Sequence, residues 1–269
     1  MPTGAVKADR GASVFAPAIP GLPSGYTGLP RELVEASQRQ RLLHGVTTAV
    51  AQKGYGPATI TDITRQAGVS KKTFYEHFPD KLACFLAAYD HGSEALLGRV
   101  TEASREAFEG GLEPVEQLRR ATRAYLGFLV AEEPYARMFF LEMLAAGPEA
   151  ITRYRRCRES FVASIRIWHE AARERHPDWP PASELAYEAA TGSVHELSVG
   201  RIATGRAAQL LDLEDELLDL QLAILRVPSE LWTAPVAAAP FRDLRLAGRG
   251  ERDDGASTGG AQPREQRER

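Results

Sequence analysis

The chain has 269 residues, 43% of them hydrophobic and 26% charged, with a formal net charge of −3. One or two domains with a real core are expected from that length and composition. No run reaches the ~18 apolar residues that a membrane span needs, and Gly or Pro interrupts residues 1–30 too often for a secretory leader. A cytoplasmic protein is expected. Cys84 and Cys157 fit no metal or redox spacing and are expected to be buried thiols.

Residues 1–29, with four prolines and five glycines, read as a disordered arm, and residues 236–269 as a second disordered tail. Between them the apolar pattern is helical almost throughout. The expected helices span 31–53, 60–67, 71–77 and 81–109, then 114–131, 134–146, 149–175, 182–205 and 213–232. Pro114, Pro134, Pro148 and Pro181 stand where a first-turn proline is tolerated, because the missing N–H has no partner there. Gly54 stands where the first helix should end. The first helices, within 30–80, form one expected module and residues 81–235 a second. From Arg31 to Lys81 there are eight Lys/Arg against five Asp/Glu, so a mildly basic module sits on an acidic body, as suits a face presented to phosphates.

Thr59 followed by Asp62 reads as a capping box opening the second helix, with Ile60, Ile63 and Ala67 on one face. Gly68-Val69 then turns sharply, and Ser70 caps the third helix. Two short helices joined by a glycine-containing turn make a helix-turn-helix. At ~100° per residue from Lys71, Phe74 and Phe78 fall near ~300° and ~340°, a single buried edge. Lys72, Glu76 and Thr73 lie opposite, with Tyr75 and His77 on the flanks. A helix lying in a major groove needs this division between core, base-edge and phosphate-reaching sides. Lys81, beside its cap Asp80, is expected to meet a backbone phosphate.

The whole string resembles the signature of the tetracycline-repressor-like (TetR) family. The matching residues are Gly54-Tyr55, Thr59, Thr61, Ile63, Ala67-Gly68-Val69-Ser70, Thr73-Phe74-Tyr75, His77-Phe78 and Lys81. The resemblance implies an all-α protein with an N-terminal three-helix DNA-binding domain and a C-terminal helical ligand-binding and dimerisation domain. It implies DNA contacts from Thr59, Thr61, Lys71, Lys72, Thr73, Tyr75, His77 and Lys81. Its implied activity is that of a repressor, released from a palindromic operator in double-stranded DNA by a small-molecule effector. Two departures stand out: Thr64 replaces the usual alanine, and a lysine pair follows Ser70 where many members have a glycine.

In the body, the family resemblance implies an effector pocket among the fifth to seventh helices and self-association through the last two. Leu213, Leu217, Leu220 and Ile224 form one apolar stripe, and Leu211, Leu218, Leu222 and Leu225 another on the opposite side; a helix apolar on two faces must bury both. Ala186, Ala189, Ala190, Gly192 and Ser193 permit close helix approach, and a four-helix homodimer interface follows. Tyr125, Phe128, Phe139, Phe161 and Trp168 are the aromatic candidates for the pocket, with His169 and His195 as its polar ones. An aromatic stripe at helical spacing is also what plain core looks like. The fourth helix joins the reading pair to the body, and Phe85 and Leu86 against Leu42, Val46 and Val50 are its expected coupling contact. No catalytic spacing, phosphate-cradling loop, metal quartet or cofactor motif is present, so no enzyme is expected. The alternatives are a DNA-binding protein without an effector, and a carrier or enzyme with an incidental basic hairpin.

Overall fold

A computed structural model describes residues 13–16, 30–228 and 230. The described residues all fall in one compact unit; the tail expected over 236–269 lies outside the described residues. The regular structure described is entirely helical, as expected: α1 (Arg31–Lys53), α2 (Ile60–Ala67), α3 (Lys71–His77), α4 (Lys81–Glu109), α5 (Pro114–Ala131), α6 (Glu133–Arg137), α7 (Pro148–Arg175), α8 (Glu184–Ala203) and α9 (Glu214–Ile224).

Local chemistry explains most of these boundaries. Thr59, Ser70, Asp80 and Ser183 each accept a backbone N–H of the first turn they open. Pro114 and Pro148 open α5 and α7, and Pro134 lies in the first turn of α6. Gly68 closes α2 at φ 61°, a left-handed backbone that an L side chain resists.

Two expected spans are cut short. The sixth helix is regular only to Arg137, then widens into a π-turn over Met138–Glu142 and a 3-10 turn over Leu144–Ala146. The widening sends two adjacent rings to different neighbours: Phe139 stacks on Tyr89 at 5.2 Å, and Phe140 meets His195 edge-on at 4.9 Å. The last helix stops at Ile224 because Arg226 turns to φ 58° and the Val227 N–H reaches back to the Leu222 carbonyl at 2.9 Å. Pro228 follows, where a helix could not continue.

Leu42, Val46 and Val50 of α1 pack with Ile63, Phe74, Phe78 and Phe85 in a core that continues into the body through Leu126, Tyr135 and Phe139. A second cluster joins Trp179, Tyr187, Leu218 and Leu222. The paired-stripe argument for α9 needs correcting. Leu217, Leu218, Leu222 and Leu225 are all buried within the chain, so its own core takes the second stripe and most of the first, whose Leu220 stays 37% exposed. What α8 and α9 leave outside is Leu185, Leu197 and Leu220.

Residues 13–16 correct the expectation of a disordered arm over 1–29. They form a turn in which Phe15 is 2% exposed, stacked on Tyr135 at 5.6 Å and edge-on to His91. Glu132 accepts the Ser13 hydroxyl at 2.7 Å and the Val14 N–H at 2.8 Å, while Gln40 and His91 both reach the Val14 carbonyl. A single aromatic anchor with satisfied backbone groups is enough to dock a short segment. The remainder of 1–29 lies outside the described residues.

Candidate nucleic-acid interface and internal cavity

The reading pair is assembled from its caps. At the start of α2 the Thr59 hydroxyl accepts the Asp62 N–H and donates to the Asp62 carboxylate at 2.8 Å, and that carboxylate accepts the Thr59 N–H in return. Lys53 at 2.7 Å and Arg65 at 2.8 Å also donate to Asp62. The Lys53 bond, then the Thr59 hydroxyl and N–H, hold this carboxyl well below the usual range. Thr59 therefore closes the turn, while Thr61 stands exposed one residue into the helix. Thr64, the departure from alanine, is buried and donates its hydroxyl to the Thr61 carbonyl at 3.2 Å.

On α3 the sides divide as the helical wheel requires. Phe74 is buried in the helix and Phe78 at its end, whereas Lys71, Lys72, Tyr75 and Glu76 are exposed. Lys72 and Glu76 are 3.9 Å apart, a weak pairing across one turn of an exposed face. Tyr75 is 58% exposed, with its ring edge-on to Phe74. Thr73 is half-buried, its hydroxyl 3.0 Å from that of Ser70.

Two flanking residues are turned inward. His77 Nε2 lies 3.3 Å from Gln38 Oε1 of α1, and burial, helped by Arg39, holds its imidazole below the ordinary value. Lys81 departs from the expected phosphate contact. Its ammonium donates to the carbonyls of Tyr55, Ala58 and Gly56 at 2.6, 2.9 and 3.2 Å, and sits 4.3 Å from the Tyr55 ring centroid. Three donors are thereby committed to the loop between α1 and α2. Sequence spacing put Lys81 beside the reading helix, but it carried no information on a loop that lies 23–26 residues earlier.

The body encloses a cavity among α4, α5, α7, α8 and α9, with about 820 Å³ of empty space when its open mouth is included. Tyr125, Phe139, Phe161, Trp168 and His195 of the expected set line it. Phe128 and His169 do not. Phe128 packs edge-on to Tyr135. His169, next in sequence to Trp168, points ~100° away around the helix and is buried in the second core, 3.0 Å from the Tyr187 hydroxyl. Sequence reasoning passed over Arg158 and Thr191, which also line the cavity. The signal for Arg158 was present: Tyr154, Arg158, Phe161, Ile165 and Trp168 recur at spacings of four and three, one face of a helix. Six other arginines on α7 made it look like surface.

His195 of the cavity wall is hydrogen-bonded through Nε2 to the Tyr154 hydroxyl. Burial, with Arg158 nearby, pushes His195 down to about 4, so the ring is neutral at pH 7. Among the described residues no cluster of side chains could hold a metal ion, and no helix is long and apolar enough to cross a membrane.

Fold and site together define a helix-turn-helix protein with an enclosed cavity in an all-helical body. Residues 43–88 match the family described as bacterial regulatory proteins, tetR family. Two curated relatives come from Mycolicibacterium smegmatis. The chain is 25% identical to the HTH-type transcriptional activator FasR over 143 residues, which is 53% of this chain and 64% of FasR. It is 28% identical to the HTH-type transcriptional regulator EthR, over 60% of this chain and 70% of EthR. Among solved structures, the fatty acid degradation regulator FadR from Bacillus halodurans superposes with a TM-score of 0.60 at 17% identity, covering 70% of this chain and 98% of that one. FadR from Bacillus subtilis, solved with stearoyl-CoA, gives 0.60 at 16% identity, over 68% and 97% of the two chains. The helix-turn-helix region thus matches the TetR family, and the helical body shares the fold of these solved regulators.

Proposed function

We propose that this chain is a sequence-specific DNA-binding transcriptional regulator, a cytoplasmic repressor released from its operator by a small molecule. The observation that carries the reading is the exposed Lys71–Lys72–Tyr75 face of α3, held at a fixed angle by Phe74 and Phe78 beneath it. Residues 30–80 act as the reading domain and 81–235 as the effector and dimerisation domain. Lys71, Lys72, Thr73 and Tyr75, with Thr61 of α2, meet the DNA; Thr59, His77 and Lys81 hold the elements that present them. The operator is a palindrome, because a twofold dimer places its two copies of α3 in major grooves roughly 34–36 Å apart, or somewhat more on distorted DNA. The exposed Leu185, Leu197 and Leu220, beside the small residues Ala189 and Ala203, support pairing through α8 and α9.

The cavity supports an effector with an apolar body, as the stearoyl-CoA bound to one structural relative has. Two contacts support coupling from cavity to reading head. Phe85 of α4 is fully buried and edge-on to Tyr55 at 4.8 Å. Glu142, closing the π-turn that carries Phe139, accepts the Tyr55 N–H at 2.7 Å. A ligand that reshapes the π-turn therefore acts on the loop that opens α2, with a coupling of about 1–3 kcal/mol as is usual for such linkage. Footprinting on the DNA upstream of this protein's own gene tests the proposal: a protected palindrome is expected. Binding that ignores sequence and falls steeply with salt would instead mark an architectural DNA protein.

A further inference from the structure

The cavity has one formal charge in its wall. Arg158 lines it together with Leu118, Phe161, Ile165 and Trp168, and no carboxylate side chain does. The arginine sits in the middle of the inward apolar stripe of α7, a position where a charge is costly unless something compensates it. Among the described residues nothing does so fully. Arg158 forms no ion pair among the described residues, whereas Arg153, Arg166 and Arg175 of α7 each pair with a carboxylate. Beside it the Thr191 hydroxyl, which also lines the cavity, is buried without a hydrogen-bond partner. His195 adds a neutral ring whose Nε2 is already bonded to Tyr154.

On the outer side of Arg158 a groove carries Arg155 and Arg166 against Glu159, Glu184 and Glu188. With Arg158, which also lines this groove, three arginines face three glutamates there, so it carries no net formal charge. The preference arises on the cavity side, where a guanidinium and an unsatisfied hydroxyl face apolar walls. A neutral ligand would leave the guanidinium without a partner inside the cavity, and a cationic one would add repulsion. A carboxylate pairs with a guanidinium through two parallel hydrogen bonds and accepts from a hydroxyl as well.

We propose that the effector is an amphiphile with a carboxylate head and an apolar tail, the head held by Arg158 and Thr191 and the tail lying along Phe161, Ile165 and Trp168. This rests on the reading of the cavity as the effector site and narrows it to one ligand class. The experiment titrates the full-length protein with decanoate, decanol, decylamine and decanoyl-coenzyme A, following heat of binding and the change in operator affinity. Decanoate is expected to bind at least tenfold tighter than decanol, and decylamine most weakly. Arg158→Gln should bring decanoate down to the level of decanol without changing decanol, while Thr191→Val costs a smaller factor. Circular dichroism establishes that the variants are folded; the wild-type comparison of decanoate with decanol stands without them. Decanoyl-coenzyme A presents a carbonyl instead of a carboxylate to Arg158, so its binding tighter than decanoate would overturn the free-acid assignment. If decanol binds as tightly as decanoate and releases DNA, the carboxylate class falls while the effector-site reading survives. If none of the four binds, both fall together.

Discussion

The reading module and the body hold their helices by different means. In the module, α2 and α3 are eight and seven residues long, too short to persist alone, and each opens on a side-chain cap. Charge completes the arrangement: Asp62 binds Lys53 and Arg65, and Lys81 ties down the loop ahead of α2. In the body, α5, α6 and α7 begin with proline in the first turn and no side-chain cap, and rings do the holding. Tyr135 alone meets Phe15, Phe128 and Phe139. The lesson is that short helices presenting a surface depend on polar contacts, whereas long helices around a cavity depend on packing. The two regions should then fail differently.

The largest effect is expected in the body. A methyl group at Gly92 would stand 2.1 Å from the Tyr135 ring, which is hemmed in by Phe15, Phe128 and Phe139 and bonded to Ser93. Gly92→Ala should cost about 3 kcal/mol, at the upper end for overpacking, read as a drop in the urea midpoint. An unchanged midpoint would show that the ring moves freely and that packing does not hold this region.

Lys81→Ala should come next, at about 2 kcal/mol for the loss of charged donors from three loop carbonyls, allowing for partial exposure. The salt dependence of DNA binding should not change. A slope reduced by about one, with stability intact, would restore Lys81 to the phosphate-contacting set. Thr59→Ala should cost about 1 kcal/mol, as for loss of a cap.

Acid should affect the module through Asp62. Its carboxyl is depressed in the folded state, so its stabilising contribution is full above the unfolded value and is lost as pH falls through the folded one. Melting temperatures of wild type should therefore decline with acidification below about pH 4, and Asp62→Asn should flatten that part of the decline. Equal acid sensitivity of the two proteins would remove Asp62 from the account. The smallest effect on stability belongs to Lys72→Ala, below about 0.5 kcal/mol at an exposed site. Operator affinity should nevertheless fall, and selection from random DNA should show preference relaxed at one position per half-site. An unchanged preferred sequence would place Lys72 on a phosphate instead.

What could be read from the sequence follows the range of the forces involved. Caps, first-turn prolines and Gly68 act within about four residues, so the ends of α1 to α5 were legible, as was the division of α3 into buried and exposed sides. The same locality explains why Thr59 was recognised as a cap from its spacing to Asp62. Other features needed partners far along the chain. Ser13 and Val14 dock on Glu132, 119 and 118 residues away, and no periodicity announces a lone phenylalanine such as Phe15 that finds a socket. His169 and Trp168 are neighbours in sequence, yet only the packing of α5, α8 and α9 decided that one lines the cavity and the other lies in the second core. The leucines of α9 show the same limit, since an apolar stripe declares that it must be buried without saying whether its own chain or a second copy will cover it. Burial is a non-directional drive, proportional to area, and only the tertiary arrangement selects the surface that satisfies it.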